Sequence, residues 1–179
     1  MKLLRTIRLD PSDTFVFERA AELGEWAISG AFLFAEINPA ALTGKARAAF
    51  RSGFLGVSSF GWSTLAQVVE ARAEERGSIV DMLAQQFCRH LGAPTLAQAQ
   101  AAAEQEVAFA ASLCDHPRDT LIAVHRTINN GEIREAFRSL RPRGERKPMR
   151  AFAFVEVEGD EEVRGESVDL VNLARDDHK

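Results

Sequence analysis

The chain has 179 residues, 46% hydrophobic and 27% charged, enough for one domain that buries about 70% of its unfolded surface. No apolar run approaches the ~18 residues of a membrane span, and Met1-Lys2-Leu3-Leu4-Arg5 breaks into charge too early for a signal peptide, so a cytoplasmic protein without membrane contact is expected. Two cysteines exclude a disulfide framework or a four-cysteine metal site, the lack of tyrosine excludes phenolic acid-base chemistry, and a net charge of -4 argues against a generally basic nucleic-acid binder.

In chain order, residues 3–9 and 14–19 alternate around the turn cluster Asp10-Pro11-Ser12-Asp13 and read as a hairpin. Residues 26–34, apolar and aromatic, suit a central strand with Gly30 as a bulge. Asn38-Pro39 opens a helix, Asn as cap and Pro at the first position, with Leu42, Ala46, Ala49 and Phe50 on one face until Gly53. Residues 54–62 alternate bulky apolar side chains with Gly and Ser and read as a loop, and 64–71 read as a strand. Ile79, Leu83, Phe87 and Leu91 recur every four residues to Gly92, the signature of an amphipathic helix. After Pro94, Thr95 to Gln98 has capping-box spacing. It starts an Ala-rich helix whose Leu96, Ala99, Ala103, Val107, Ala110 and Leu113 or Cys114 form a shallow stripe.

Residues 121–128 are expected to be a strand, and Asn130-Gly131 is a strong two-residue hairpin signal. That turn would set Ile128 opposite Ile133, Arg126 opposite Glu135 and Val124 opposite Phe137. Ile133, Ala136, Phe137 and Leu140 also fit a helix stripe, and the hairpin is preferred. Residues 149–157 read as a last strand with Phe152 and Phe154 on one face. The sum is a single α+β domain over residues 1–157, a mostly antiparallel sheet with two or three helices on one face. Residues 158–179 read as an acidic, flexible tail in which Val168, Leu170, Val171 and Leu173 form one element able to dock. Charge divides accordingly: residues 1–155 sum to +2 and residues 156–179 to -6.

Most site chemistries fail on spacing. Residues 39–45 lack the first Gly and the final Ser or Thr of a phosphate loop, Gly61-Trp62-Ser63 lacks the second Gly of a nucleophile elbow, and Glu104 and Glu106 diverge on a helix. Cys88 and His90 lie two apart on a helix and also diverge. Cys114, His116 and His125 are an alternative metal or Cys-His site at the end of the Ala-rich helix, although that helix end disfavours a thiolate; the other reading is a buried thiol and a polar helix stop. Two surfaces remain. Residues 134–150 hold Arg138, Arg141, Arg143, Arg146 and Lys147 within a local balance of +5, able to grip phosphates or an acidic partner, or to pair with the protein's own tail. Phe54, Phe60 and Trp62 either plug the core or form a pocket wall or protein interface.

The stretches Asp10-Pro11-Ser12-Asp13-Thr14-Phe15-Val16-Phe17, Gly24-Glu25-Trp26, Thr43-Gly44-Lys45-Ala46-Arg47, Phe50-Arg51-Ser52-Gly53-Phe54-Leu55-Gly56, Phe60-Gly61-Trp62-Ser63-Thr64 and Ala110-Ala111-Ser112-Leu113-Cys114-Asp115-His116-Pro117 together resemble an uncharacterised proteobacterial family of unknown function. The resemblance covers nearly all of the chain except the tail. It implies a small bacterial cytoplasmic protein with no established activity or catalytic residues. As a partner class it implies an accessory role beside a molybdenum-dependent dehydrogenase. The combined expectation is a non-catalytic accessory or interaction protein with a protein partner, no cofactor and no nucleic acid. A homodimer through a sheet edge or the Ala-rich helix stays open.

Overall fold

A computed structural model describes residues 1–38, 41–141 and 156–158. In chain order the elements are β1 (Lys2–Ile7), α1 (Asp13–Val16), β2 (Trp26–Ile28), a 3-10 turn (Ala31–Phe34), α2 (Gly44–Ser52), β3 (Phe54–Gly56), β4 (Trp62–Ser63), β5 (Leu65–Glu70), α3 (Ala73–Leu91), α4 (Leu96–Ser112), β6 (Leu121–Asn129), β7 (Glu132–Arg141) and β8 (Glu156–Glu158). They form one eight-stranded sheet in the order β4-β3-β2-β1-β5-β6-β7-β8, every neighbouring pair antiparallel. The fold is α+β. No helix among the described residues is long and apolar enough to cross a membrane.

The first expected hairpin is not formed. β1 pairs instead with β2 and β5, and residues 13–16 are helical. Tertiary bonding prevails over local alternation here: the buried Asp13 carboxylate accepts from the Thr64 backbone N–H and hydroxyl, and Phe17 is fully buried beside Phe34 and Phe50. The long central strand expected at 26–34 is also shorter. It ends at Ile28, because Gly30 adopts φ +77° and turns the chain into the 3-10 turn. Only glycine fits there, since a Cβ would stand 2.7 Å from the Leu55 Cβ.

α2 starts at Gly44, behind Thr43, rather than at Asn38-Pro39; it buries Ala49 and Phe50, leaves Ala46 exposed, and stops at Gly53 as expected. Residues 54–62 are not a loop but the β3–β4 hairpin and its turn. A side chain far from that turn specifies it: the Glu25 carboxylate accepts from the Ser58 N–H at 2.7 Å, the Ser59 N–H at 2.9 Å, both serine hydroxyls, and the Glu22 N–H at 2.7 Å.

The helices of the second half form where periodicity places them. Ile79, Leu83 and Phe87 of α3 are buried, while Leu91 at its end is 49% exposed. In α4 the Thr95 hydroxyl accepts the Gln98 N–H at 3.2 Å, and Ala99, Ala103, Val107 and Ala110 are buried. These small side chains let α4 lie close against α3 and across β1 and β2. The β6–β7 hairpin has the expected register, Ile128 opposite Ile133, Arg126 opposite Glu135 and Val124 opposite Phe137, so residues 132–140 are strand and not helix. β8 adds to β7; residues 149–155 of the expected last strand, and the tail from 159 onward, lie outside the described residues.

The sheet curls strongly. β3 and β7 are five positions apart in strand order, roughly 24 Å in a flat sheet, yet the Phe54 and Phe137 rings are 6.2 Å apart. Phe109 of α4 closes on Phe137 at 5.8 Å, so the curl is filled from α4. α2 lies outside this filling, against β6.

Candidate functional site

Where the two limbs of the curl meet, a buried cation joins them. Arg126 on β6 is 1% exposed. Its Nε donates to Glu135 Oε1 across the β6–β7 pair at 2.8 Å, its Nη1 donates to the carbonyls of Gly53 at 2.7 Å and Phe50 at 3.1 Å, and its Nη2 donates to the Ser29 carbonyl. The Ser29 hydroxyl in turn donates to Glu135. The guanidinium therefore caps the last carbonyls of α2 and ties β2 and β3 to β6, a use that the planar fork of arginine suits. Burial lowers the Arg126 pKa, and the carboxylates of Glu135 and Glu106 oppose that shift.

This anchoring holds α2 against β6 and leaves a cleft of about 600 Å³ between them. Arg47 and Arg51, four residues apart and so on one face of α2, form one side. His125, Arg126 and Ile128 of β6 form the other, and Ile37 and Phe50 add apolar wall. Arg138, diagonal to His125 across the pair, adds to the field. Partial burial lowers the His125 pKa first, and the charges of Arg51 and Arg138 lower it further. Among the described residues no carboxylate pairs with Arg47, Arg51, Arg138 or His125. Such a cleft suits an organic anion, with guanidinium donors for its charged group and an apolar wall for its body.

A model of a family of unknown function, DUF6505, matches residues 1–158. The chain belongs to that family. As the resemblance implied, the match leaves out the acidic tail, and all cleft residues of this DUF6505 protein fall inside it. No curated protein and no solved structure matches the chain.

The site residues expected from sequence are scattered through this DUF6505 fold. Phe54 is completely buried and packs in the core. Phe60 stacks on His90 with ring centroids 4.6 Å apart, and Trp62 is half-buried against Phe34. Arg138 belongs to the cleft's field, Arg141 ends β7, and Arg143, Arg146 and Lys147 lie outside the described residues. Cys114, His116 and His125 are not gathered: among the described residues no three His, Cys, Asp or Glu side chains are placed to hold a metal ion. The Cys114 thiol donates to the Ala110 carbonyl, and burial pushes its pKa up to about 11, the reverse of an activated nucleophile. The His116 carbonyl accepts from Lys2 Nζ at 2.6 Å. His125 stands in the cationic cleft.

Arg47 and Arg51 escaped the sequence reading. Their spacing was visible, but it gains meaning only through the strand α2 packs on, and β6 follows about seventy residues later.

Proposed function

We propose that this protein is a non-catalytic accessory protein that binds an organic anion, a carboxylate or phosphate on an apolar body, in the cleft between α2 and β6. The observation that carries this reading is the convergence of Arg47, Arg51 and His125 beside apolar wall, with Arg138 adding positive charge and no described carboxylate answering them. Binding without turnover is expected, because burial holds Cys114 as the thiol, bonded to the Ala110 carbonyl rather than to a base. An interaction role is further supported by Leu9, Phe15 and Leu23, which are 68%, 73% and 68% exposed in the connection between β1 and β2. A bacterial source, a cytoplasmic setting and an accessory role beside a molybdenum-dependent dehydrogenase rest on the sequence resemblance.

Phenyl phosphate, titrated into the full chain and followed through the ring proton resonances of the histidines, tests the reading. The bound anion offsets Arg51 and Arg138, so the His125 pKa should rise, and Arg51→Gln should weaken binding at least ~10-fold, the loss of one charge-assisted contact. The phenyl phosphate should remain intact. An unchanged His125 titration, or equal affinity in Arg51→Gln, would overturn the assignment; phenol release would overturn the non-catalytic role.

A further inference from the structure

A second concavity is bounded by the end of α3, the Ala93-Pro94 connection and α4. Its volume is about 530 Å³, within the range of small-molecule sites. Phe32, Phe87, Leu91, Pro94 and Ala102 make it mostly apolar, and among the described residues Glu106 is the one ionisable group lining it.

The charge count around Glu106 decides what the groove suits. Glu106 feels Glu135 and Arg126, but Arg126 is already bonded to Glu135 at 2.8 Å. One guanidinium therefore faces two carboxylates. With Glu106 ionised, the cluster holds one negative charge too many, and Glu106 has no hydrogen-bond or ion-pair partner among the described residues to take it up. An apolar anion would add to that excess, and a neutral apolar molecule would leave it unanswered. A ligand with an ammonium at one end and a hydrocarbon body at the other meets both demands: its N–H groups donate to Glu106, and its body covers Phe32, Phe87 and Leu91.

We propose that the groove between α3 and α4 is a binding site for an apolar primary amine, with Glu106 as the carboxylate that receives its ammonium group. The site is separate from the cationic cleft and has the opposite charge preference. Filling it completes the ion pairing of the Glu106–Arg126–Glu135 cluster.

Hexylamine and 1-hexanol, titrated calorimetrically into the full chain at pH 8, distinguish this from a merely greasy groove. Hexylamine should bind at least ~10-fold more tightly than 1-hexanol, the scale of one desolvated charge-assisted contact. Burial, and next to it the charge of Glu135, pushes the Glu106 pKa up to about 7, so the carboxyl is mostly protonated at pH 6 and hexylamine should bind about 10-fold more weakly there than at pH 8. Glu106→Gln should remove both the preference for amine over alcohol and the pH dependence. Ala102→Phe, which fills the groove from an exposed position on α4, should abolish hexylamine binding while phenyl phosphate still binds the cleft. Equal affinities for hexylamine and 1-hexanol, an unchanged amine preference in Glu106→Gln, or unchanged hexylamine binding in Ala102→Phe would each overturn the assignment.

Discussion

Glu106 and Arg126 show how one neighbourhood sets opposite fates for two ionisable side chains. Arg126 keeps its charge because carbonyls and Glu135 surround it, whereas Glu106 is half-buried with its compensating charge already committed elsewhere. The consequence for stability has a definite sign. A carboxyl whose pKa rises from 4.5 to about 7 on folding binds its proton more tightly in the native state. Its neutral form is therefore favoured by the fold, and stability falls as pH climbs from about 4.5 to about 7 and then levels off. Water on the groove's open side screens part of the effect and leaves roughly 1–2 kcal/mol. Glu106→Gln, which fixes the neutral state, should raise stability by about that amount at pH 8 and change it little at pH 5. Urea denaturation at the two pH values checks this, and a destabilised variant at pH 8 would show that ionised Glu106 contributes a net favourable pairing with Arg126.

At the scale of elements, two glycines in unlike settings make contrasting predictions. Gly56 ends β3 beneath the Glu25 carboxylate, and a Cβ there would collide with Glu25 Oε1. Gly56→Ala should therefore push Glu25 out of the β3–β4 turn and cost ~2 kcal/mol, the scale of a steric conflict combined with the loss of several part-exposed hydrogen bonds to a carboxylate. Gly77 lies within α3 with nothing inside 4 Å, so Gly77→Ala should stabilise the protein by ~0.5–1 kcal/mol. Thermal melts of the two variants should move in opposite directions; a Gly56→Ala melt at or above that of the parent would mean that the turn does not depend on Glu25. The same contrast explains what could be read from sequence. α3, α4 and the β6–β7 hairpin were legible because four-residue periodicity, the Thr95 cap and Asn130-Gly131 are local signals. α1, the early end of β2 and the β3–β4 hairpin were misread because partners distant in sequence decide them: Thr64 for Asp13, Leu55 for Gly30, Glu25 for the Ser58-Ser59 turn. The site divides in the same way. His125 and Arg138 stood out by residue type, whereas the cleft that gives them a use exists only once α2 lies on β6.

For the molecule as a whole, the net charge of -4 conceals a division: the segment up to residue 155 sums to +2 and carries the cationic cleft, while the last 24 residues sum to -6. The body is also divided in how far apart its contacts lie along the chain. The α3–α4 pair and the β6–β7 hairpin join neighbours in sequence, but the bonds from Arg126 to Ser29 and Gly53 span 97 and 73 residues. Closing loops of that length costs chain entropy before the closing contacts return anything, so the seam should form after the local units. Arg126 then acts as a latch on the finished fold rather than as a nucleus for it. Arg126→Lys keeps a positive charge beside Glu135 but loses the planar fork, and its destabilisation should appear as faster unfolding with refolding nearly unchanged. Stopped-flow chevrons would show this directly, and refolding slowed in proportion to the lost stability would place the seam in the folding nucleus instead. If the latch closes last, its release is the step that sets how long the curled sheet, and with it both proposed ligand sites, persists once folded.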